Sequence, residues 1–214
     1  MVATSATAPL SIYVLGRFRV ERSGAALPPE HWKRRRAVDV LTALAVAPGH
    51  TLSRDQLIGA FWPDKGPERG ANNLHRALHD VRKALGGAYV TVRAGVVALD
   101  RGVWVDVDAV EQADDDLASL ALYQGPPDLD VEGLEGRLAE IRHHFVEGSL
   151  RLGRRLRAVD PDGAIDVLRR LLTVEPTVEE AHRLLMRLLD RTGRTREAKA
   201  QYRICAQALA SRLD

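Results

Sequence analysis

Cysteine is all but missing from this 214-residue chain. Cys205 stands alone, so neither an intrachain disulfide nor a Cys-rich zinc site can form, and a reducing, cytoplasmic setting is expected. Long apolar runs are missing as well. The longest, Ala37 to Pro48, is interrupted by Asp39 and Thr42, and Met1 to Leu10 holds no basic residue, so neither a membrane span nor a secretory leader is expected. Lysine is scarce, 4 against 27 arginines, a bias that carries no mechanistic weight. The phosphate-loop, dinucleotide, nucleophile-elbow and zincin signatures are absent, which removes the best-marked enzyme classes. What remains is a pair of Glu-x-x-His motifs, Glu140 with His143 and Glu179 with His182. They are half of a di-iron carboxylate site, which needs one further Glu from each of two other helices. Solvated helix faces give these residues a simpler place. No catalytic activity, cofactor or metal is therefore expected.

With 45% apolar and 28% charged residues, the chain can bury a core and has the length of one large or two small domains. The net charge of +2 hides a split. Residues 1–104 carry 15 basic and 8 acidic side chains, a net of +7, whereas residues 105–214 carry 16 and 21, a net of −5. A basic half joined to an acidic half points to a nucleic-acid-facing module linked to one with another task.

Ile12 and Val14, then Phe18 and Val20, alternate with polar neighbours about Gly16, the pattern of two short strands. Lys33 to Ala47 places Ala37, Val38, Leu41, Leu44 and Ala45 on one helical face, and Pro48-Gly49 ends it. Ser53 lies three residues before Gln56, the spacing of a capping box, and opens a second short helix through Leu57, Ile58 and Phe61 to about Trp62. A loop, Pro63 to Pro67, leads to a third helix from about Glu68 to Leu85, whose stripe is Leu74, Ala77, Leu78, Val81 and Leu85, with Gly86-Gly87 as its stop. Tyr89 to Arg93 and Val96 to Leu99, separated by Ala94-Gly95, read as a hairpin. Strands, helix, helix, loop, helix and hairpin are the order of a winged helix-turn-helix with an extra N-terminal sheet.

From Val105 the chain turns Asp-rich and then almost wholly helical. An offset of 34 pairs Ala164 with Ala198, Leu168 with Tyr202, Leu171 with Cys205 and Leu150 with Leu184, and Pro176 closes the earlier copy. That period is the tetratricopeptide one. Asp160 to Gly163 and Thr192 to Arg194 supply the turns, while Leu152 and Met186 stand where such repeats usually place a small residue. The expected fold is therefore α+β: a winged helix-turn-helix over residues 10–103, followed by an all-α, tetratricopeptide-like repeat domain over 104–214.

Three features of the first half point to DNA. The third helix carries Asn72, Asn73, His75, Arg76, His79 and Lys83 away from its apolar stripe. Asn can bond adenine and Arg guanine in the major groove, while Lys neutralises phosphate; the alternative is an ordinary solvated face. Arg34, Arg35 and Arg36, with Lys33, put cations at the positive end of a helix dipole, an unfavourable place unless an anion comes close. A phosphate would compensate, and solvated arginine stems are the alternative. Arg93 stands at the hairpin tip, within reach of the minor groove or its phosphates, although arginine there also serves solubility.

Several segments together resemble a known family. Leu15-Gly16-Arg17-Phe18, the helix Arg36 to Leu44, Ser53-Arg54-Asp55-Gln56-Leu57 through Phe61-Trp62, Ala71 to Leu78 with Val81 to Leu85, and Trp104-Val105-Asp106-Val107-Asp108 resemble SARP-type transcriptional activators. In these, an OmpR-type winged helix precedes a bacterial transcriptional activator domain of tetratricopeptide-like helices. Tyr123-Gln124-Gly125-Pro126 and Arg196 to Arg203 are similar to landmarks of that second domain. The resemblance covers nearly the whole chain after about Pro9. It implies that the helix with Asn72, Asn73, Arg76 and Lys83 reads the major groove, that Arg93 sits on the wing, and that Trp62, Pro63, Asp64 and Lys65 face RNA polymerase. Dimers on directly repeated promoter sites are a further implication.

The expected function is that of a sequence-specific, double-stranded-DNA-binding transcriptional regulator, an activator that recruits RNA polymerase. Base contacts are expected from Asn72, Asn73 and Arg76, and phosphate contacts from Arg34 to Arg36, Ser53, Lys83 and Arg93. The alternative is a protein-interaction adaptor that uses the groove of its helical repeats and whose winged helix does not bind DNA.

Overall fold

Strand β1 (Leu10–Tyr13) opens the computed structural model, which describes residues 8–86, 89–113, 117–129 and 133–210. Strand β2 (Arg19–Arg22) returns antiparallel, setting Ile12 opposite Val20, and a turn through Ser23 and Gly24, both at positive φ, leads to β3 (Ala25–Ala26). Helix α1 (Arg35–Val46) is buried along almost its whole length from Ala37. A tight turn at Pro48–His50 gives β4 (Thr51–Ser53), which runs directly into α2 (Arg54–Phe61). Helix α3 (Pro67–Leu85) packs on both α1 and α2. It is followed by β5 (Val90–Arg93), β6 (Val96–Leu99) and β7 (Val103–Val105).

Two sheets result, a four-stranded one ordered β3-β2-β1-β7 and a three-stranded one ordered β4-β6-β5. Within the first, β1 and β7 are parallel, with Leu10 opposite Val103 and Ile12 opposite Val105. Neither β4 nor β7 is foreseen as a strand. Each has three residues, too few to show a period, and each is defined by a distant partner, β6 for β4 and β1 for β7. Conversely, the alternation at Val14 does not extend β1, because the chain there bends toward a buried carboxylate.

That carboxylate is Asp106, the first residue of α4 (Asp106–Glu111). Its Oδ2 accepts the amides of Val14 and Leu15, both at 2.9 Å, while its Oδ1 is buried without a partner among the described residues. Burial pushes the carboxyl up from its ordinary 3.8 to about 7, against the opposing pull of these amides. Two residues further on, Asp108 meets His50 Nε2 at 3.0 Å.

The helices that follow are α5 (Leu117–Leu120), α6 (Glu135–Leu156), α7 (Pro161–Val174), α8 (Glu179–Arg191) and α9 (Thr195–Ala210). The chain forms two packing units. The first comprises the residues up to Ala109 together with Pro126–Ile141; the second comprises Val110–Gly125 and the chain from Arg142 onward. The sequence boundary at 103/104 thus falls inside the first unit, in β7. The architecture is α+β. Among the described residues no helix is long and apolar enough to cross a membrane.

In the second unit, α8 packs on α7 and α9. Asp160 caps α7 through the amide of Gly163, at 3.0 Å. The small residue that α6 offers to α7 is Gly153 and not its neighbour Leu152: a Cβ at Gly153 would stand 3.1 Å from the Leu168 side chain. Ala164 is fully buried and Ala198 half-buried, but Tyr202, the 34-residue counterpart of buried Leu168, is 66% exposed. Tyr123 stacks on Phe145 with ring centroids 4.4 Å apart, and its hydroxyl lies 3.3 Å from Glu175, which also accepts Arg142 Nε at 2.7 Å.

The raised Asp106 pKa has a definite sign in stability. Between pH 3.8 and about 7 the folded chain holds a proton that the unfolded chain has released. Stability from this group is therefore full below pH 3.8 and is lost as pH rises through about 7. Asp106→Asn keeps an oxygen for the two amides and cannot ionise. In denaturant titrations the stability difference between wild type and Asp106→Asn should change by about 1.4 kcal/mol per pH unit inside this window and stay level above it. Parallel pH profiles for the two proteins would show that Asp106 does not titrate as described.

Candidate nucleic-acid interface

The interface is assembled from the cap of α2 upward. Ser53 Oγ accepts the Gln56 amide at 3.0 Å and Gln56 Oε1 accepts the Ser53 amide at 2.8 Å, completing the capping box and satisfying two amides at the helix start. Leu57 and Phe61 face inward from α2. Its approach to α3 is close: a Cβ at Gly70 would lie 2.6 Å from Ile58 Cγ2, so only glycine permits this separation. Pro67 occupies the first turn of α3, where its missing amide proton leaves nothing unpaired.

The inner face of α3 is Leu74, Ala77, Leu78, Val81, Ala84 and Leu85, all buried. Gly86, at φ 67, ends the helix in the left-handed conformation. Two arginines fix this end: Arg22 of β2 donates to the Ala84 carbonyl at 3.2 Å, and Arg82 donates to the Val90 carbonyl at 2.9 Å. With the inner face and the C-terminus held, the outer face is determined. Asn72, His75, Arg76, His79 and Lys83 are exposed and Asn73 is half-buried. Asn72, Arg76, His79 and Lys83 follow one another at helical spacing along a single stripe.

The β5–β6 hairpin turns through Ala94 (φ 48) and Gly95 (φ 79), a two-residue turn whose positive φ values match strand twist. Exposed Arg93 stands at its tip. The Gly95 carbonyl accepts the Arg54 amide at 2.9 Å, and Ser53 pairs with Val96 through the backbone. The wing is thus tied to the start of α2.

Two further cations share this surface and escape the sequence reading. Arg69 is exposed one turn before Asn72 on the same stripe, and Arg54 is exposed at the first residue of α2. Continuing the outer stripe of α3 by three residues toward its N-terminus finds Arg69. Arg54 becomes visible only when the wing's contact with α2 is known.

The arginines at the start of α1 are differently placed. Arg34 pairs with Asp80 of α3 at 3.1 Å, Arg35 with Asp39 at 3.0 Å and Asp128 at 2.7 Å, and Arg36 with Asp39 at 3.1 Å. The anion that a helix start crowded with cations requires is supplied by the protein's own carboxylates. The Ser53 hydroxyl oxygen is likewise engaged in its cap. Trp62 ends α2, half-buried and 6.0 Å from the Phe61 ring, while Pro63, Asp64 and Lys65 are exposed.

The two Glu-x-x-His motifs do not converge. His182 is fully buried, with Nε2 at 2.8 Å from the Pro176 carbonyl and Nδ1 at 2.6 Å from the Gln201 amide, so both ring nitrogens are taken. His143 is exposed on α6. Among the described residues no group of three or more His, Cys, Asp or Glu side chains is placed to hold a metal ion.

Comparison with known proteins places the chain. The bacterial transcriptional activator domain profile matches residues 92–214, more than half of its length. The chain belongs to this family. The matched domain is the one that the resemblance to SARP-type proteins leads one to expect. Its fold is similar to that of Mycobacterium tuberculosis EmbR, solved in complex with a low affinity phosphopeptide, with a TM-score of 0.69 and 19% identity. The match covers 95% of this chain and 60% of that one, so the chain spans about three-fifths of EmbR's length in that structure. A search of curated proteins returns no match.

Gly70 and Gly59 offer a matched test of the α2–α3 contact, because a Cβ at Gly59 of α2 meets nothing within 4 Å. Valine at either position changes helix propensity equally. Gly70→Val should lower stability more than Gly59→Val, by about 1–3 kcal/mol of overpacking, as read from thermal unfolding. Equal losses would mean that this contact does not set the helix pair.

Proposed function

We propose that this regulator binds promoter DNA with α3 in the major groove and the β5–β6 wing against the adjacent backbone. One observation carries the reading: the row Asn72, Arg76, His79 and Lys83 is exposed on a helix whose opposite face and C-terminus are both fixed. Asn72, Asn73 and Arg76 read bases, because amide and guanidinium groups match the edges of adenine and guanine. Lys83 and Arg93 neutralise phosphates, joined by Arg69 and Arg54. Arg34 to Arg36 reach phosphate by exchanging a carboxylate for it, and Ser53 contributes its hydroxyl proton.

Activation follows from recruitment of RNA polymerase by the turn Trp62 to Lys65, with two copies on directly repeated sites in the cytoplasm. The adaptor alternative separates cleanly from this reading. A DNA-binding regulator shows affinity for random duplex that falls steeply as salt rises, whereas an adaptor shows little such binding.

The base-reading and phosphate roles differ in their mutational signatures. On a duplex selected from a random pool, Arg76→Ala should lose about 1–3 kcal/mol of preference at one position. Lys83→Ala should weaken all duplexes alike and reduce the salt slope by about 1. Fluorescence anisotropy at several salt concentrations measures both. Unchanged preference in the first variant and an unchanged slope in the second would remove α3 from the groove.

A further inference from the structure

The first unit encloses a cavity of about 330 Å³ that the DNA-binding reading leaves unused. It opens between the turn after β1, the outer side of α1 and the segment at Pro127. Its walls are apolar, formed by Val14, Phe18, Val38 and Pro127. Four polar side chains interrupt them, Thr42, Arg17, Arg35 and Asp128, and the first two are the ones without an ion-pair or side-chain partner among the described residues. Thr42 of α1 lines the cavity and is only 4% exposed, yet its hydroxyl has no hydrogen-bond partner among the described residues. Its oxygen is not among the polar atoms sealed from solvent without a partner, and the residue lines this cavity. Arg17 stands at the rim, exposed and without an ion pair among the described residues. The other guanidinium at the rim, Arg35, is held by Asp39 and Asp128.

We infer that this cavity is a binding site for a small organic acid with an apolar body. The carboxylate pairs with Arg17, whose planar fork matches two carboxylate oxygens, and an oxygen of the ligand accepts the Thr42 hydroxyl proton. The hydrocarbon part lies against the four apolar walls. A sugar or nucleotide does not fit this lining, because its hydroxyls would lose water without gaining partners. Asp128 at the rim disfavours a dianion, so the ligand carries one negative charge. The volume stands at the small end of ligand pockets, roughly 300–1,000 Å³, which suits a molecule of one ring or a short chain.

The test uses the full chain without DNA, so its outcome is independent of the promoter reading. The probes are 4-phenylbutyrate and octanoate, with their uncharged primary amides as controls, followed by calorimetric titration and amide NMR shifts. Saturable binding of at least one carboxylate is expected, with the matching amide at least tenfold weaker. Arg17→Gln, a change at an exposed side chain, should weaken the carboxylate at least tenfold with an unchanged unfolding temperature. Thr42→Val, which keeps shape and removes the hydroxyl, should weaken it several-fold. Absence of saturable binding by both acids overturns the inference, as does binding that neither substitution affects or that the amides equal. Should Thr42→Val fail to fold, Arg17→Gln and the amide controls still decide the matter.

Discussion

A single buried carboxyl oxygen joins segments that lie 91 and 92 residues apart in sequence. Asp106 Oδ2 gathers the amides of Val14 and Leu15 where β1 ends, immediately after β7 has paired in parallel with that strand. Backbone amides turned inward need an acceptor, and here the acceptor comes from the residue that follows β7. This contact fixes β1, which fixes β2 by its antiparallel register, which in turn presents Arg22 to the last carbonyls of α3. The orientation of the candidate recognition helix is therefore set from behind, by a chain of backbone contacts that starts at one protonatable group.

Local features of this arrangement were legible in the sequence. The Ser53–Gln56 box, the apolar stripe of α3, the stop at Gly86 and the turn at Ala94-Gly95 each depend on residues within one or two turns of each other, and each lies where its spacing places it. Features made by distant partners were not legible. Three residues such as Thr51-Leu52-Ser53 become a strand only because β6 is there to receive them. Asp106 looks in sequence like one acid in a run of alternating Val and Asp, and nothing local shows that it is the buried one. Gly153 lay one residue from the position where a small side chain was sought, because helix packing depends on crossing geometry as well as on repeat period. His182, half of an apparent metal motif, is a core residue whose partners Pro176 and Gln201 complete its hydrogen bonds.

The charge of the first half is distributed in a way that composition conceals. The densest cationic run, Arg34 to Arg36, is the one already facing carboxylates, whereas the isolated cations Arg54, Arg69, Arg76, Lys83 and Arg93 lie on α2, α3 and the wing. These pairs are not equivalent. Asp128 is 87% exposed at its side chain, so its pair with Arg35 is screened by water and yields readily to a competing anion. Asp39 is only 10% exposed, and its pairs with Arg35 and Arg36 satisfy a carboxylate that would otherwise be left in a poorly hydrated place. Of the three arginines at the start of α1, Arg34 is the one most readily released toward a polyanion, because its one pair among the described residues, with Asp80, is with a partly exposed carboxylate.

In the second unit, specificity of packing comes from polar groups as much as from leucines. Leu185, Leu188 and Leu189 of α8 are buried, and apolar contact alone would allow several registers, since it is non-directional. His182 admits one. Its Nδ1 must find a donor because a buried ring nitrogen without a partner costs on the order of 1–3 kcal/mol, and Gln201 is the donor that α9 supplies. Glu175 works in the same way at the end of α7, bringing Arg142 of α6 and the hydroxyl of Tyr123 to one buried carboxylate. A shift of one turn in either place would bury a polar group alone. That penalty favours one register of α9 on α8, in which Tyr202 is left exposed.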